Sequence, residues 1–211
     1  MQKSVRVLLS SGVGCLLLLG GVVGYRYFFT NGLEKLPNKL CSGAVDREIA
    51  IRALPPSRHA EEGDEASSPG QNFFFSCYVY AGDESTLSGE AQAADSSIST
   101  WINYYRGKRE GEMVRVAKGP VQALSLPDGL VSVYVPCTPP RTAPDEAVQS
   151  YALVTEARTI GETQAKGDDL RQAVTDFAYA ITKRAYQVGE CQERTSFPAN
   201  LSTENTERGN E

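Results

Sequence analysis

From Val7 to Gly24 the chain carries no charged side chain, and Lys3 and Arg6 stand just before this run. Some eighteen apolar or small residues is the lower limit for a helix crossing a hydrocarbon core about 30 Å thick. Tyr25, Tyr27, Phe28 and Phe29 extend it, with Arg26 among them, and such aromatics settle at headgroup level. A helix apolar on every side does not suit the surface of a soluble domain. Residues 7–29 are therefore read as a membrane segment, either a retained anchor or a cleaved signal peptide. Val22-Val23-Gly24 offers the small side chains that cleavage requires, which keeps a secreted form as the alternative. The run is nevertheless longer than the usual apolar region of a signal peptide, roughly 7 to 15 residues, and aromatics follow it, so the anchor is preferred. Lys3, Arg6 and the free amine precede the span, while Arg26 and Lys35 beyond it are partly offset by Glu34. The bias places a short head, residues 1–6, in the cytoplasm and the rest of the chain outside the cell membrane.

That orientation decides what the five cysteines are. Cys15 lies inside the apolar run with Leu16 to Leu19 after it, too early for a lipid-bearing cysteine, and reads as a small apolar filler. Cys41, Cys77, Cys137 and Cys191 fall in an oxidising space, where an even number implies two disulfides with three possible connectivities. Zinc ligands come in close pairs such as C-x-x-C. These cysteines are 36, 60 and 54 positions apart, so neither a metal nor any other cofactor is expected. The pairing Cys41–Cys77 with Cys137–Cys191 is favoured because each bond would tie a helix end to a strand within its own half.

The remainder divides into a linker over residues 30–40, a disulfide-stapled domain over 41–192, and a polar, periodless tail over 193–211 expected to be disordered. Ser42 reads as the N-cap of a short helix carrying Val45, Ile49 and Ala53, stopped by Pro55-Pro56. The acidic, turn-rich stretch 57–70 reads as a loop, and the sole histidine, His59, as a solvated residue within it. "NFFFSCYVYAG" alternates with period two, Phe73, Phe75, Cys77 and Val79 on one face and Phe74, Ser76, Tyr78 and Tyr80 on the other. Rings on both faces predict that both are at least partly covered; an exposed aromatic binding surface is the alternative. "TLSGEAQAAD" predicts a second strand. Ile98, Trp101, Ile102 and Tyr105 then recur at helical spacing behind Ser96 or Ser97 as cap, with basic Arg106, Lys108 and Arg109 at the helix C-terminus. Residues 113–137 predict one or two strands and a hairpin turning at Pro127-Asp128-Gly129, and a Pro-rich exposed loop follows. "YALVTEARTI" predicts another strand. The last helix starts at Asp168 or Asp169, buries Leu170, Ala173, Val174, Phe177, Ile181, Ala185 and Val188, and ends at Gly189.

The two halves echo each other. A strand with Cys77, then "LSGEAQ", then the Trp101 helix parallels a strand ending at Cys137, then "LVTEAR", then the long helix. Leu87, Glu90 and Ala91 match Leu153, Glu156 and Ala157. The expected class is α+β, an antiparallel sheet with helices on one face and a possible duplicated ββα unit.

Signs of catalysis are sparse. The chain lacks the glycine-framed serine, phosphate-loop, zinc-helix and dinucleotide patterns, and one loop histidine leaves little for a triad. Glu90 and Glu156 would suit a glycosidase carboxylate pair, but strand alternation points such residues to solvent. "NLS" at Asn200 fits a glycosylation acceptor. A net charge of −5 argues against nucleic acid as partner. The chain is read as non-enzymatic, binding an extracellular or envelope partner, with an extracellular hydrolase as the lesser alternative.

"KLPNKLCSGAVDREIAIRALP", a cysteine-bearing strand, "VSVYVPC" and a terminal alanine-rich helix ending in cysteine together resemble a group of actinobacterial, mainly Streptomyces-type, membrane-anchored proteins. The resemblance spans roughly residues 1 to 192 and implies a bacterial cell-surface location; it brings no active site with it.

Overall fold

The computed structural model describes residues 31–202, except 83, 109–110, 112, 141 and 143–149. The proposed anchor and head lie outside the described residues, with Lys3, Arg6, Cys15, Tyr25, Arg26 and Tyr27, and so do Arg109 and most of the Pro-rich loop. No helix among the described residues is long and apolar enough to cross a membrane.

Seven strands form one antiparallel sheet: β3 (Ala60–Ala66), β4 (Phe74–Ala81), β5 (Ser85–Asp95), β6 (Val114–Lys118), β7 (Val121–Ser125), β8 (Val131–Pro136) and β9 (Tyr151–Ile160), in the spatial order 3-4-5-9-8-7-6. A two-stranded ribbon, β1 (Lys39–Leu40) and β2 (Val45–Asp46), precedes helix α1 (Arg47–Ala53). Helix α2 (Ile98–Lys108) links β5 to β6, and α3 (Gly167–Val188) follows β9. The class is α+β with an antiparallel sheet, as the element pattern predicts.

The helices do not share one face. Helix α3 lies across β5, β8 and β9 with α1 beside it, and their apolar side chains join Phe75, Cys77, Val79, Leu87 and Leu153 in the main core. Helix α2 covers the opposite face at one end only. There Trp101 and Tyr105 pack on Leu124, Leu126, Leu130, Tyr134 and Ala152 as a second core. β7 and most of β8 are therefore buried on both faces, and the Ser-Val-Tyr-Val alternation of β8 sends Ser132 and Tyr134 to one core and its valines to the other. Ser97 caps α2, its hydroxyl accepting the Thr100 N–H at 3.2 Å. Close approach of α3 to the sheet requires Gly89, since a Cβ there would sit 2.7 Å from the Ile181 side chain. Across the same contact the buried Thr182 hydroxyl bonds Thr155 at 2.7 Å and the Ala178 carbonyl at 2.8 Å.

Several local expectations are corrected. Ser42 does not cap a helix. It stands with Cys41 in left-handed backbone (φ 52° at each) in the turn between β1 and β2, and its hydroxyl binds the Asp64 carboxylate at 2.9 Å. The acidic stretch after His59 is not a loop but edge strand β3, paired along its length with β4; its backbone bonds outweigh the low strand propensity of Glu and Asp. The linker is folded: Leu33 is buried in a 3₁₀ turn and Gly32 N–H bonds Ser57 O at 2.7 Å. Helix α3 starts at Gly167, without a side-chain cap. At its end the left-handed residue is Glu190 (φ 54°), while Gly189 serves close packing, a Cβ there lying 2.9 Å from the Phe73 ring. The tail to Ser202 is not disordered. Phe197 and fully buried Leu201 pack on α3, Tyr179 and Tyr186 donate to the carbonyls of Pro198 and Glu193, and Gln172 Nε2 donates to Leu201 O at 3.0 Å. This strap gives α3 a second buried side, which is why Tyr179, Ala180 and Tyr186 are covered as well as the predicted stripe.

The disulfides are Cys41–Cys77 (Cα–Cα 5.7 Å) and Cys137–Cys191 (4.9 Å). The second joins the end of β8 to the turn after α3. The first holds the β1–β2 turn, not a helix end, to β4.

Candidate functional site

Because α2 roofs only the β7–β8–β9 end of its face, no helix of the described residues covers the other end, over β3, β4 and β5. Two adjoining depressions lie along this step. One, about 490 Å³, is walled by Thr100, Trp101, Tyr104 and Tyr105 of α2 over Gln92 and Val154. The other, about 420 Å³, lies over Tyr78, Tyr80, Ser88 and Arg158. Glu90 and Glu156 line both and form the floor where they meet.

Strand register builds this floor. Glu65 pairs with Ser76, Ser76 with Glu90, Glu90 with Glu156 and Glu156 with Ser132, one row running straight across the sheet. Ser132 lies under α2, where it accepts the Trp101 indole N–H at 2.9 Å. The neighbouring row is Gly63, Tyr78, Ser88 and Arg158, and the next Glu61, Tyr80, Thr86 and Ile160. Gly63 lets the Tyr78 phenol lie over the edge strand, a place any Cβ would occupy. The Tyr78 and Tyr80 rings stand 5.0 Å apart. Tyr104 meets Tyr105 edge-on at 5.0 Å on the α2 wall.

Phe73 and Phe75 are core as expected, but the second face of β4 is open: Tyr78 is 38% and Tyr80 44% exposed. The exposed large hydrophobic side chains among the described residues are these two, Tyr104 and Ile160, and all four lie on this face or its wall. Exposed apolar groups scattered singly need no explanation, but a clustered set marks a surface used for contact.

Glu90 and Glu156 oppose each other directly across antiparallel strands, an arrangement of like charges that destabilises a sheet. Gln92 Nε2 donates to Glu90 and the Tyr105 hydroxyl to Glu156. Neither glutamate has an ion-pair partner among the described residues, Arg158 included. Burial first, then the hydrogen bond to Glu156 and its charge, push the Tyr105 phenol well above its ordinary value near 10, so this hydroxyl remains a donor. The trough thus presents carboxylate acceptors beside tyrosine rings and is open to solvent.

The echo also acquires a geometric meaning. Antiparallel pairing of β5 with β9 places the matched Glu90 and Glu156 on a local two-fold axis, about which β4-β5 and β8-β9 correspond. The correspondence ends there. It sets Cys77 against Val133 rather than Cys137, and α2 and α3 lie on opposite faces, so a duplicated ββα unit does not describe the whole. His59 is exposed and lines neither depression, its carbonyl accepting Gly82 N–H at 2.9 Å. Among the described residues no group of three or more His, Cys, Asp or Glu is placed to hold a metal ion. The strand pattern predicted Tyr78 and Tyr80 to be at least partly covered, and their exposure matches the alternative of an open aromatic surface, whereas nothing in the helical pattern of α2 singled out Tyr104. The L-x-x-E-A match carried the signal for the glutamates, since matched residues on paired antiparallel strands can face one another.

The architecture is that of a disulfide-stapled α+β domain with one half-roofed sheet face. The chain matches no family model, no curated protein and no solved structure.

Proposed function

We propose that this chain is a binding domain held on the outer side of the cell membrane by residues 7–29 and that it engages its partner through the half-roofed face of the sheet. The observation that carries the reading is the trough itself: the exposed large hydrophobic side chains of the described residues gather around two opposed glutamates that have no ion-pair partner among those residues. The two disulfides support an oxidising location for the domain. The uncharged run with Lys3 and Arg6 before it supports the anchor and its orientation.

The test pairs topology with recognition. Protease added to intact spheroplasts should degrade the domain, and the intact mass of the membrane-fraction protein should include residues 7–29. A mature protein beginning near Tyr25 in the medium would replace the anchor with secretion. Replacing Tyr78 and Tyr104 by alanine should remove function in a complementation assay while leaving both disulfides formed; full function in that variant would refute the trough as the working face.

A further inference from the structure

We infer that the trough accepts an extended polypeptide segment bearing lysine or arginine side chains, whose cationic heads sit over the Glu65–Glu90–Glu156 row with their stems against the tyrosines. The inference deepens the binding reading above and depends on it. A neutral sugar would satisfy the rings but leave two facing carboxylates opposed, whereas a cation placed between Glu90 and Glu156 converts their repulsion into attraction for both. The rings add to the same preference, because exposed Tyr78 and Tyr80 present aromatic rings, which attract ammonium or guanidinium groups over their faces. Asp95 in the first depression and Glu61 beside Tyr80 keep the surroundings acidic, and among the described residues Arg158 is the one cation lining either depression.

The dimensions suit a peptide. Glu65 to Glu156 spans three strand spacings, about 14 Å, the length of roughly four extended residues. The floor continues on both sides of the glutamate pair, so a chain can pass through rather than end there. The row ends at β3, an edge strand whose outer side pairs with no other strand in the sheet.

The test uses the full chain in nanodiscs of uncharged phosphatidylcholine and fluorescence anisotropy of a labelled octapeptide of alternating lysine and glycine. Its glutamate–glycine counterpart and a six-unit glucan serve as the other probes. The lysine peptide should bind saturably and more weakly at higher salt. Glu90→Gln/Glu156→Gln should weaken it about tenfold, the sum expected of two exposed charge contacts. Tyr78→Ala/Tyr104→Ala should weaken it several-fold. Glu48→Gln/Asp169→Asn, which removes the same charge from α1 and α3 on the other side of the sheet, should change it less than twofold. Equal weakening by this control would reduce the effect to net charge and overturn the inference. Glucan binding lost on tyrosine replacement, with no response to the lysine peptide, would overturn the cationic ligand but keep the trough as the binding face. Lysine-peptide binding unchanged in every trough variant, or no binding by any probe to a chain with both disulfides intact, would overturn both.

Discussion

Replacing Leu201 by alanine tests the main departure of the structure from a plain reading of the tail. Leu201 is fully buried, and it is the last large apolar residue of the strap that crosses α3. Its carbonyl accepts Gln172 Nε2 at 3.0 Å, and the preceding Asn200 carbonyl accepts Lys118 Nζ at 3.0 Å, so backbone anchors unaffected by the substitution hold the strap in place. Truncation then leaves a cavity instead of releasing the segment. Fully buried Leu→Ala changes cost about 2–5 kcal/mol, and a strap without regular secondary structure collapses partly into the space, which puts the expected loss at about 2–3 kcal/mol. In a domain of this size that lowers Tm by about 5–10 °C. Urea unfolding can be followed by the fluorescence of Trp101, the single tryptophan, which is buried in the second core and distant from the change. An unchanged slope with a lower midpoint is the expected result. A loss under about 0.5 kcal/mol, the range of a solvent-exposed substitution, would refute the docked strap.

Other expectations can be checked on the same material. Cys137→Ser/Cys191→Ser opens a loop of separation 54 and should cost about 4 kcal/mol by the chain-entropy argument, read as a fall in urea midpoint against the oxidised protein. Glu90→Gln, which keeps the Gln92 contact but removes one of two opposed charges, should stabilise the fold by about 0.2–1 kcal/mol; destabilisation would mean the pair is not held as a repulsive site. Burial pushes the Tyr179 phenol up to about 12, above its unfolded value near 10. The unfolded chain therefore loses this proton first, and stability that is full below pH 10 should fall as the pH rises toward 12, by up to about 1.4 kcal/mol per pH unit. Tyr179→Phe should flatten that part of the pH profile of the urea midpoint.

Much of the fold is legible in local pattern because periodicity records burial. The alternation in Tyr151–Ile160 and the stripe from Ala173 to Ala185 each have one face against the main core, and both elements stand where the pattern places them. Where two faces or a later segment contribute burial, pattern misleads. Ala60–Ala66 carries the composition of a loop, yet backbone pairing with β4 makes it a strand. Tyr78 and Tyr80 have the composition of a core strand, yet they are exposed because α2 stops short of them.

Sequence by itself determined the class of domain, the run of strands and helices from Phe74 onward, the cysteines available for two bonds, and the matched glutamates in Leu-x-x-Glu-Ala. Those properties follow from side-chain chemistry and from spacing along one segment. Tertiary structure alone decided which strands adjoin, which side of the sheet α2 occupies, and that Glu90 meets Glu156 across β5 and β9. These depend on contacts between residues distant along the chain, such as Trp101 with Ser132 and Glu90 with Glu156. Such contacts are set by how two apolar helices share the faces of one sheet, and no window of sequence contains that competition.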